Sequence, residues 1–322
     1  MLRPRTGRLS RRLLCQSGAA AGLCCLPHMR ALAAALAEHP LELREVAPGT
    51  YVSHGVPQEA TRENLGAIAN LGVVAGRDGA AVIDTGGCLI WGERLREAAG
   101  RVVADRPVAA MVQTHMHPDH TYGAAAFADV PRLLGHRNLP RALADHAPYY
   151  DRSLREALGD LADGSRLLAP NELVADERVL DLGGRRLRLV AHAAAHTDND
   201  LTVLDETAGI LWTGDLLFVD RCPALDGSLL GWIAVLDQLR ALPVARAVPG
   251  HGPALVPWPA SSDALRRYLV TLRDGVRQVI KRGGTIEQAV ATVGQDERGN
   301  WLLFDDYHGR NVTAAYAELE WE

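Results

Sequence analysis

Apolar residues in the first half of the chain come in short runs separated by turn formers. Thr50-Tyr51-Val52, Leu71-Gly72-Val73-Val74-Ala75 and Ala80-Ala81-Val82-Ile83-Asp84 each predict a strand. Trp91 to Ala99 has helical spacing and stops at Gly100. Val108 to Thr114 is an unbroken apolar run until its last two residues, the pattern of a buried strand. Residues 137–168, rich in Arg, Leu, Ala and Asp, predict helix. A second series of strands begins at Arg186-Leu187-Arg188-Leu189-Val190, where polar and apolar residues alternate. It continues through Leu201–Leu204 and Ile210–Trp212, followed by a helix from Leu229 to Leu242 and a strand at Ala245–Val248. Beyond Pro257 the spacing predicts helices over Asp263–Lys281, Thr285–Val293 and Val312–Glu320. The pattern is α/β: two similar β-rich halves with helices outside, over residues 38–257, and a helical extension at 258–322 packed on them.

The first 37 residues differ from the rest. They hold six arginines and no acid, an Ala/Gly/Cys/Leu-rich stretch from Ser17 to Leu26, and a small-x-small cleavage site at Ala35-Leu36-Ala37. Ser10-Arg11-Arg12-Leu13-Leu14 matches a twin-arginine export signal, which predicts a periplasmic protein. An ordinary secretory signal or a basic amphipathic helix are the alternatives, and Pro27-His28-Met29-Arg30 interrupts the apolar region. No run reaches the ~18 apolar residues of a membrane span. Loss of the leader takes the net charge from −5 to −11 by removing its six arginines. So acidic a chain has little attraction for nucleic acid or anionic lipid, which points to a small-molecule substrate; oligomeric state is left open. Cys15, Cys24 and Cys25 lie in the leader, so only Cys88 and Cys222 remain, too few for a disulfide framework or a cysteine-based zinc site.

The chemistry is concentrated directly after the Val108 run. His115-Met116-His117-Pro118-Asp119-His120 puts three histidines and an aspartate into six residues. Neutral imidazoles and a carboxylate are a ligand set that suits Zn²⁺. In an extended segment His115 and His117 point to the same side and can reach one metal. A helix starting after Pro118 would swing Asp119 and His120 toward a second. Further candidates sit where strands give way to loops: His196, Asp215 and His251, with Gly214, Gly250 and Gly252 allowing close backbone approach. His192 and His196, four apart, could also share one helix face, but no Glu follows His192 and the region reads as strand and loop.

With these motifs the sequence resembles the metallo-β-lactamase-fold hydrolases over residues 45–255. The matching segments are Asp84-Thr85-Gly86, the H-x-H-x-D-H string, His196-Thr197, Thr213-Gly214-Asp215 and Gly250-His251-Gly252. The resemblance implies an αββα sandwich with a dinuclear zinc site along one edge. His115, His117 and His196 would hold the first metal; Asp119, His120 and His251 the second; Asp215 would bridge them. A shared hydroxide would then attack an ester, thioester or amide, with Asp119 orienting it and moving its proton. Asp84 is either a turn carboxylate or a hydrogen-bond partner of a ligand histidine. The C-terminal segments Trp301–Phe304 and Tyr307–Val312, with Tyr268, look most like the SoxH-related branch, which includes the quinoprotein relay system zinc metallohydrolases.

Departures from better-known relatives bear on substrate. Ala194-Ala195 replaces a Pro-Gly before the fourth histidine, Thr197-Asp198-Asn199 replaces Thr-x-Gly, and Cys222-Pro223-Ala224 replaces the Cys-Gly-Arg of glyoxalase II. These argue against glutathione thioesters. Class B3 β-lactamases share the histidine string but typically lack the aspartate matched by Asp215. A persulfide dioxygenase with one Fe²⁺ on His115, His196 and Asp215 is an alternative, and a non-catalytic metal-stabilised binding protein another. Tyr268, Trp301, Tyr307 and His308 are candidates for either pocket lining or core.

Overall fold

In the computed structural model, which describes residues 41–104 and 106–322, the strand-like runs assemble into two sheets. The leader at residues 1–37 lies outside the described residues. The first sheet takes its strands in chain order: β1 (Arg44–Ala47), β2 (Thr50–Ser53), β3 (Leu71–Ala75), β4 (Ala80–Ile83), β5 (Val108–Val112), β6 (Arg132–His136) and β7 (Glu172–Val174). The first four pair antiparallel, and β4 to β7 are parallel. Three helices belong to this half: α1 (Leu89–Val103), the single turn α2 (Pro118–Thr121) and α3 (Leu139–Leu158).

The second sheet has β8 (Glu177–Asp181), β9 (Arg186–Ala191), β10 (Leu201–Asp205), β11 (Ile210–Phe218), β12 (Arg246–His251) and β13 (Val256–Pro257). Its pairings are antiparallel except β11 with β12. Alternation decides which face each strand buries. In β9, Leu187 and Leu189 turn inward while Arg186 and Arg188 reach Glu206 at the surface. The inward residues meet Ala81, Ile83, Ala110 and Val112 of the first sheet, and with Ile210, Trp212 and Val248 form the core between the sheets.

Leu211, Ala247 and Phe218 face the other way, against helices α4 (Leu229–Arg240), α5 (Asp263–Lys281), α6 (Ile286–Thr292) and α7 (Phe304–Leu319). There Trp232, Leu236, Leu265, Leu269, Leu272, Ala289, Val312 and Ala315 build a second core. The architecture is the αββα sandwich that the sequence led us to expect, with further helices at its C-terminal end.

Several boundaries differ from expectation. Helix α1 runs through Gly100, where a side chain would meet open space, so glycine costs only its backbone entropy and ends nothing. Helix α3 stops at Leu158 and gives way to a 3-10 turn ending at Ala162. Helix α7 starts at Phe304, eight residues before Val312; Asp305 and Asp306 suit the positive end of its dipole. Strands β1, β6, β7, β8 and β13 have no sequence signal of their own. Most lie toward sheet edges, and β6 offers only Leu133-Leu134 before Gly135.

Candidate metal centre

The parallel pairing of β4 with β5, and of β11 with β12, brings four strand ends to one edge of the sandwich. Asp84 follows β4, the chain beyond β5 continues through Thr114 to His115, Asp215 lies within β11, and His251 ends β12. His117 is extended (φ −64°, ψ 147°) and Pro118 opens α2, so the backbone changes from strand-like to helical in the middle of the string. Proline suits that first helical position because its fixed φ is already helical and its missing N–H is not needed. His115 and His117 therefore project from extended chain, and Asp119 and His120 from a helical turn.

All seven expected side chains converge, in two groups. His115, His117, His196 and Asp215 form one; Asp119, His120 and His251 form the other; donor atoms within each lie within 4.8 Å of one another. His117 Nδ1 is 3.1 Å from His115 Nε2 and 2.9 Å from His196 Nε2. Asp119 Oδ2 is 3.2 Å from His251 Nε2. The two oxygens of Asp215 touch both groups. Oδ2 lies 3.6 Å from His115 Nε2, 3.5 Å from His196 Nε2 and 3.3 Å from His251 Nε2; Oδ1 lies 3.1 Å from His120 Nε2. His117 and Asp119, with 15% and 16% of their side chains exposed, face the opening, while the other five are buried.

The outward ring nitrogen of every histidine has a partner. His120 Nδ1 lies 2.8 Å from Asp84 Oδ2, and Asp84 also accepts from Thr114 N and Thr114 Oγ1. His196 Nδ1 donates to Ala224 O at 2.7 Å and His251 Nδ1 to Ile68 O at 2.8 Å. His117 Nε2 faces Asp226 Oδ2 at 3.1 Å, and His115 Nδ1 faces Thr114 Oγ1 at 3.0 Å. Such partners fix the tautomer and leave the inward nitrogen's lone pair for a cation. Of the two readings of Asp84, the hydrogen-bonded one holds.

Charge in the site is divided. Burial, then its imidazole neighbours, holds His115 well below its ordinary value and pushes His196 down to about 3, so both are neutral. Burial would also lower His120 and His251, but the carboxylate of Asp215 outweighs it, helped at His120 by Asp119 and Asp84. Burial opposes ionisation of Asp215, yet His251, His120 and His115 hold it well below the carboxylate range. The protons on His120 and His251 stand where a divalent cation would supply the charge instead. His120 Nε2 and Asp215 Oδ1 are buried and face each other without hydrogen-bond geometry, as atoms awaiting a shared cation would. The residues present fit metal ions.

Glycine permits this crowding at Gly250, where a Cβ would lie 1.9 Å from Asp215 Oδ1, and at Gly214, which has φ +50°. His192 does not join the centre: it lies on the turn after β9, with Nε2 2.8 Å from Thr202 Oγ1, and the segment to His196 is loop, as expected, with no helix face for the two to share. Tyr268, Trp301 and His308 are buried among the C-terminal helices, and the Tyr307 hydroxyl meets Arg221 and Glu59. Cys222 is free and buried, its thiol pushed up to about 12 by burial, so it is no nucleophile. Sequence reasoning missed Tyr150 and Asp226 beside His117. The Tyr150 ring lies 6.4 Å from that of His117, and its hydroxyl is buried without a hydrogen-bond partner. Neither sits in a motif that could have flagged it.

Residues 66–251 match the profile of the family described as the Metallo-beta-lactamase superfamily. The linear primary-alkylsulfatase of Pseudomonas sp. (strain ATCC 19151) is 24% identical over 214 residues, which are 54% of this chain and 40% of that protein. Among solved structures, the stereoselective inverting sec-alkylsulfatase of Pseudomonas sp. superposes with a TM-score of 0.66 at 16% identity, covering 87% of this chain and 50% of the other. A metallo-β-lactamase from Pontibacter korlensis gives 0.55 at 20% identity, covering 71% of this chain and 99% of the other. The chain thus spans half or less of the length of these alkylsulfatases.

Proposed function

The chain belongs to the metallo-β-lactamase superfamily, and from that premise we propose that it is an exported metal-dependent hydrolase that holds two zinc ions and cleaves an ester, thioester or amide bond. The observation that carries this reading is Asp215, whose two carboxylate oxygens reach both groups of donor atoms. His115, His117 and His196 would hold one ion, and Asp119, His120 and His251 the other, with Asp215 shared. When bound, the ions would supply the Lewis acidity that makes water a nucleophile near neutral pH and polarises the bond to be cut.

The chain's own residues do the rest. Asp119 stands at the opening. Burial pushes its carboxyl up, but His120 and His251 outweigh that and keep it ionised. An ionised carboxylate there accepts the proton that the attacking water sheds. Asp84, Ala224 O and Ile68 O keep His120, His196 and His251 in the orientation that aims Nε2 inward. Burial of five of the seven ligands keeps bulk water from competing for them.

A second reading takes an alkyl sulfate ester as substrate. It is favoured by the alkylsulfatase likeness, which extends over 87% of the chain against 71% for the β-lactamase. Within the superfamily we place the chain in the SoxH-related branch on its C-terminal segments Trp301–Phe304 and Tyr307–Val312. Elemental analysis of the purified protein, beside a panel of carboxylic esters, thioesters, β-lactams and alkyl sulfates with oxygen uptake on glutathione persulfide, tests these readings together. Two zinc per chain with chelator-sensitive hydrolysis is expected; one iron with oxygen uptake would replace the hydrolase with a persulfide dioxygenase. Export through the twin-arginine motif is tested by changing Arg11 and Arg12 to lysine. Periplasmic yield should collapse, and unchanged yield would remove that part of the proposal.

A further inference from the structure

The loop from Val219 to Ser228, between β11 and α4, supplies the outward partners of two ligand histidines. Ala224 O accepts from His196 Nδ1, and Asp226 Oδ2 faces His117 Nε2. A loop carrying Pro223 and Gly227 has little regular structure to hold it in place. Backbone bonds from Cys222 N to Leu302 O, Asp226 N to His196 O and Ser228 N to Ala195 O hold its ends, and its middle is held by a side chain 87 residues beyond Ala224.

Asn311, on α7 and 1% exposed, donates from Nδ2 to Pro223 O at 2.7 Å and accepts at Oδ1 from Leu225 N at 2.9 Å. It therefore grips the chain on both sides of Ala224. Nδ2 also lies 2.9 Å from Tyr268 Oη, which is 3.0 Å from His308 Nδ1, and His308 Nε2 donates to Val293 O. Helix α7 itself is anchored by Phe304, Val312, Ala315 and Leu319 in the second core. A buried side-chain amide with this many partners has one orientation available to it.

We propose that Asn311 is a positioning residue for the metal centre: by holding Pro223 O and Leu225 N it aims the Ala224 carbonyl at His196 Nδ1, and so keeps His196 Nε2 turned toward the first group. The inference rests on reading the seven convergent side chains as metal ligands. It gives the C-terminal helices a part in metal binding, beyond covering the second sheet.

The test is zinc affinity, measured by competition with a chromophoric chelator, for the wild-type chain, Asn311→Ala, Asn311→Leu and Tyr316→Phe. Leucine keeps the volume of Asn311 and removes both contacts to the loop. Tyr316→Phe removes a hydrogen bond of the same helix to Gly284 O, away from the loop. Loss of an outer partner of a ligand typically weakens metal binding 10–100-fold, so about 10-fold is expected for one zinc equivalent in both Asn311 variants. The other equivalent, and both in Tyr316→Phe, should stay at wild-type affinity. Wild-type affinity at both equivalents in the Asn311 variants overturns the proposal, as does an equal loss in Tyr316→Phe. A wild-type chain that binds no zinc would instead overturn the reading of the centre itself. If the Asn311 variants do not fold, amide exchange on the wild-type chain decides. Zinc should slow exchange at residues 222–226 and in α7, because the coupling is reciprocal. Unchanged exchange in α7 would refute it.

Discussion

Asp84 shows how much one side chain at the rim of the site controls. Its carboxylate accepts from Thr114 N at 2.8 Å and Thr114 Oγ1 at 2.7 Å, and pairs with His120 Nδ1. In Asp84→Asn an amide N–H would meet His120 Nδ1, so the imidazole would carry its proton on Nε2, where the metal should bind. Asn tolerates the φ of +56° at this position, so backbone strain should not obscure the effect. Metal affinity of the second group should fall 10–100-fold with little change in unfolding free energy, measurable by chelator competition and denaturant titration.

Asp200 is a different case. It is buried, accepts from Thr197 N and Oγ1, and burial raises it to about 7. Its folded value lies above its unfolded one, so its contribution to stability is full below about pH 4 and is lost as pH rises toward 7. The stability of the metal-free protein minus that of Asp200→Asn should therefore fall across this window, by up to ~4 kcal/mol for a shift of about three units. A flat difference would show that the group titrates normally.

At the scale of elements, the strand ends carry the function. Gly250 lies where β12 passes Asp215, and its missing Cβ is the space that the shared carboxylate occupies. Gly250→Ala should push that carboxylate aside and cost ~10²-fold or more in kcat/KM, since displacement of about 1 Å at a reacting centre has that effect. Chelator titration should show weakened binding at both groups, because Asp215 belongs to both.

The strands that deliver ligands were legible because they are buried and apolar or cleanly alternating, as β4, β5, β9 and β11 are. The edge strands β1, β7, β8 and β13 were not, since partial burial removes the pattern. Helix α7 was half legible. Its first two turns bury Phe304 and His308 but interleave them with the exposed Asp305, Asp306 and Arg310, so no clean apolar stripe marks where the helix starts.

For the whole molecule, the candidate ligands come from residues 115 to 251 and from both sheets, so a bound metal would tie the two halves of the sandwich together. Removing it with a chelator should abolish hydrolysis and lower the melting temperature. A free metal concentration 100 times Kd should restore ~2.7 kcal/mol per site. A melting temperature indifferent to chelator would mean that the centre is formed without metal.

The sequence by itself determined the α/β pattern of strands and helices and the six-residue string, through local spacing and residue types whose chemistry is visible in one letter. The αββα sandwich and the gathering of all seven side chains were what the resemblance of its motifs to the metallo-β-lactamase fold implied. Only the tertiary structure decided what stands behind them: Ala224 O and Ile68 O on the outer nitrogens of His196 and His251, the burial of Asp200, and Asn311 reaching back to residues 223 and 225. A backbone carbonyl has the same chemistry at every residue, and burial is a property of what packs around a group. Neither can be read until distant segments of the chain have been brought together.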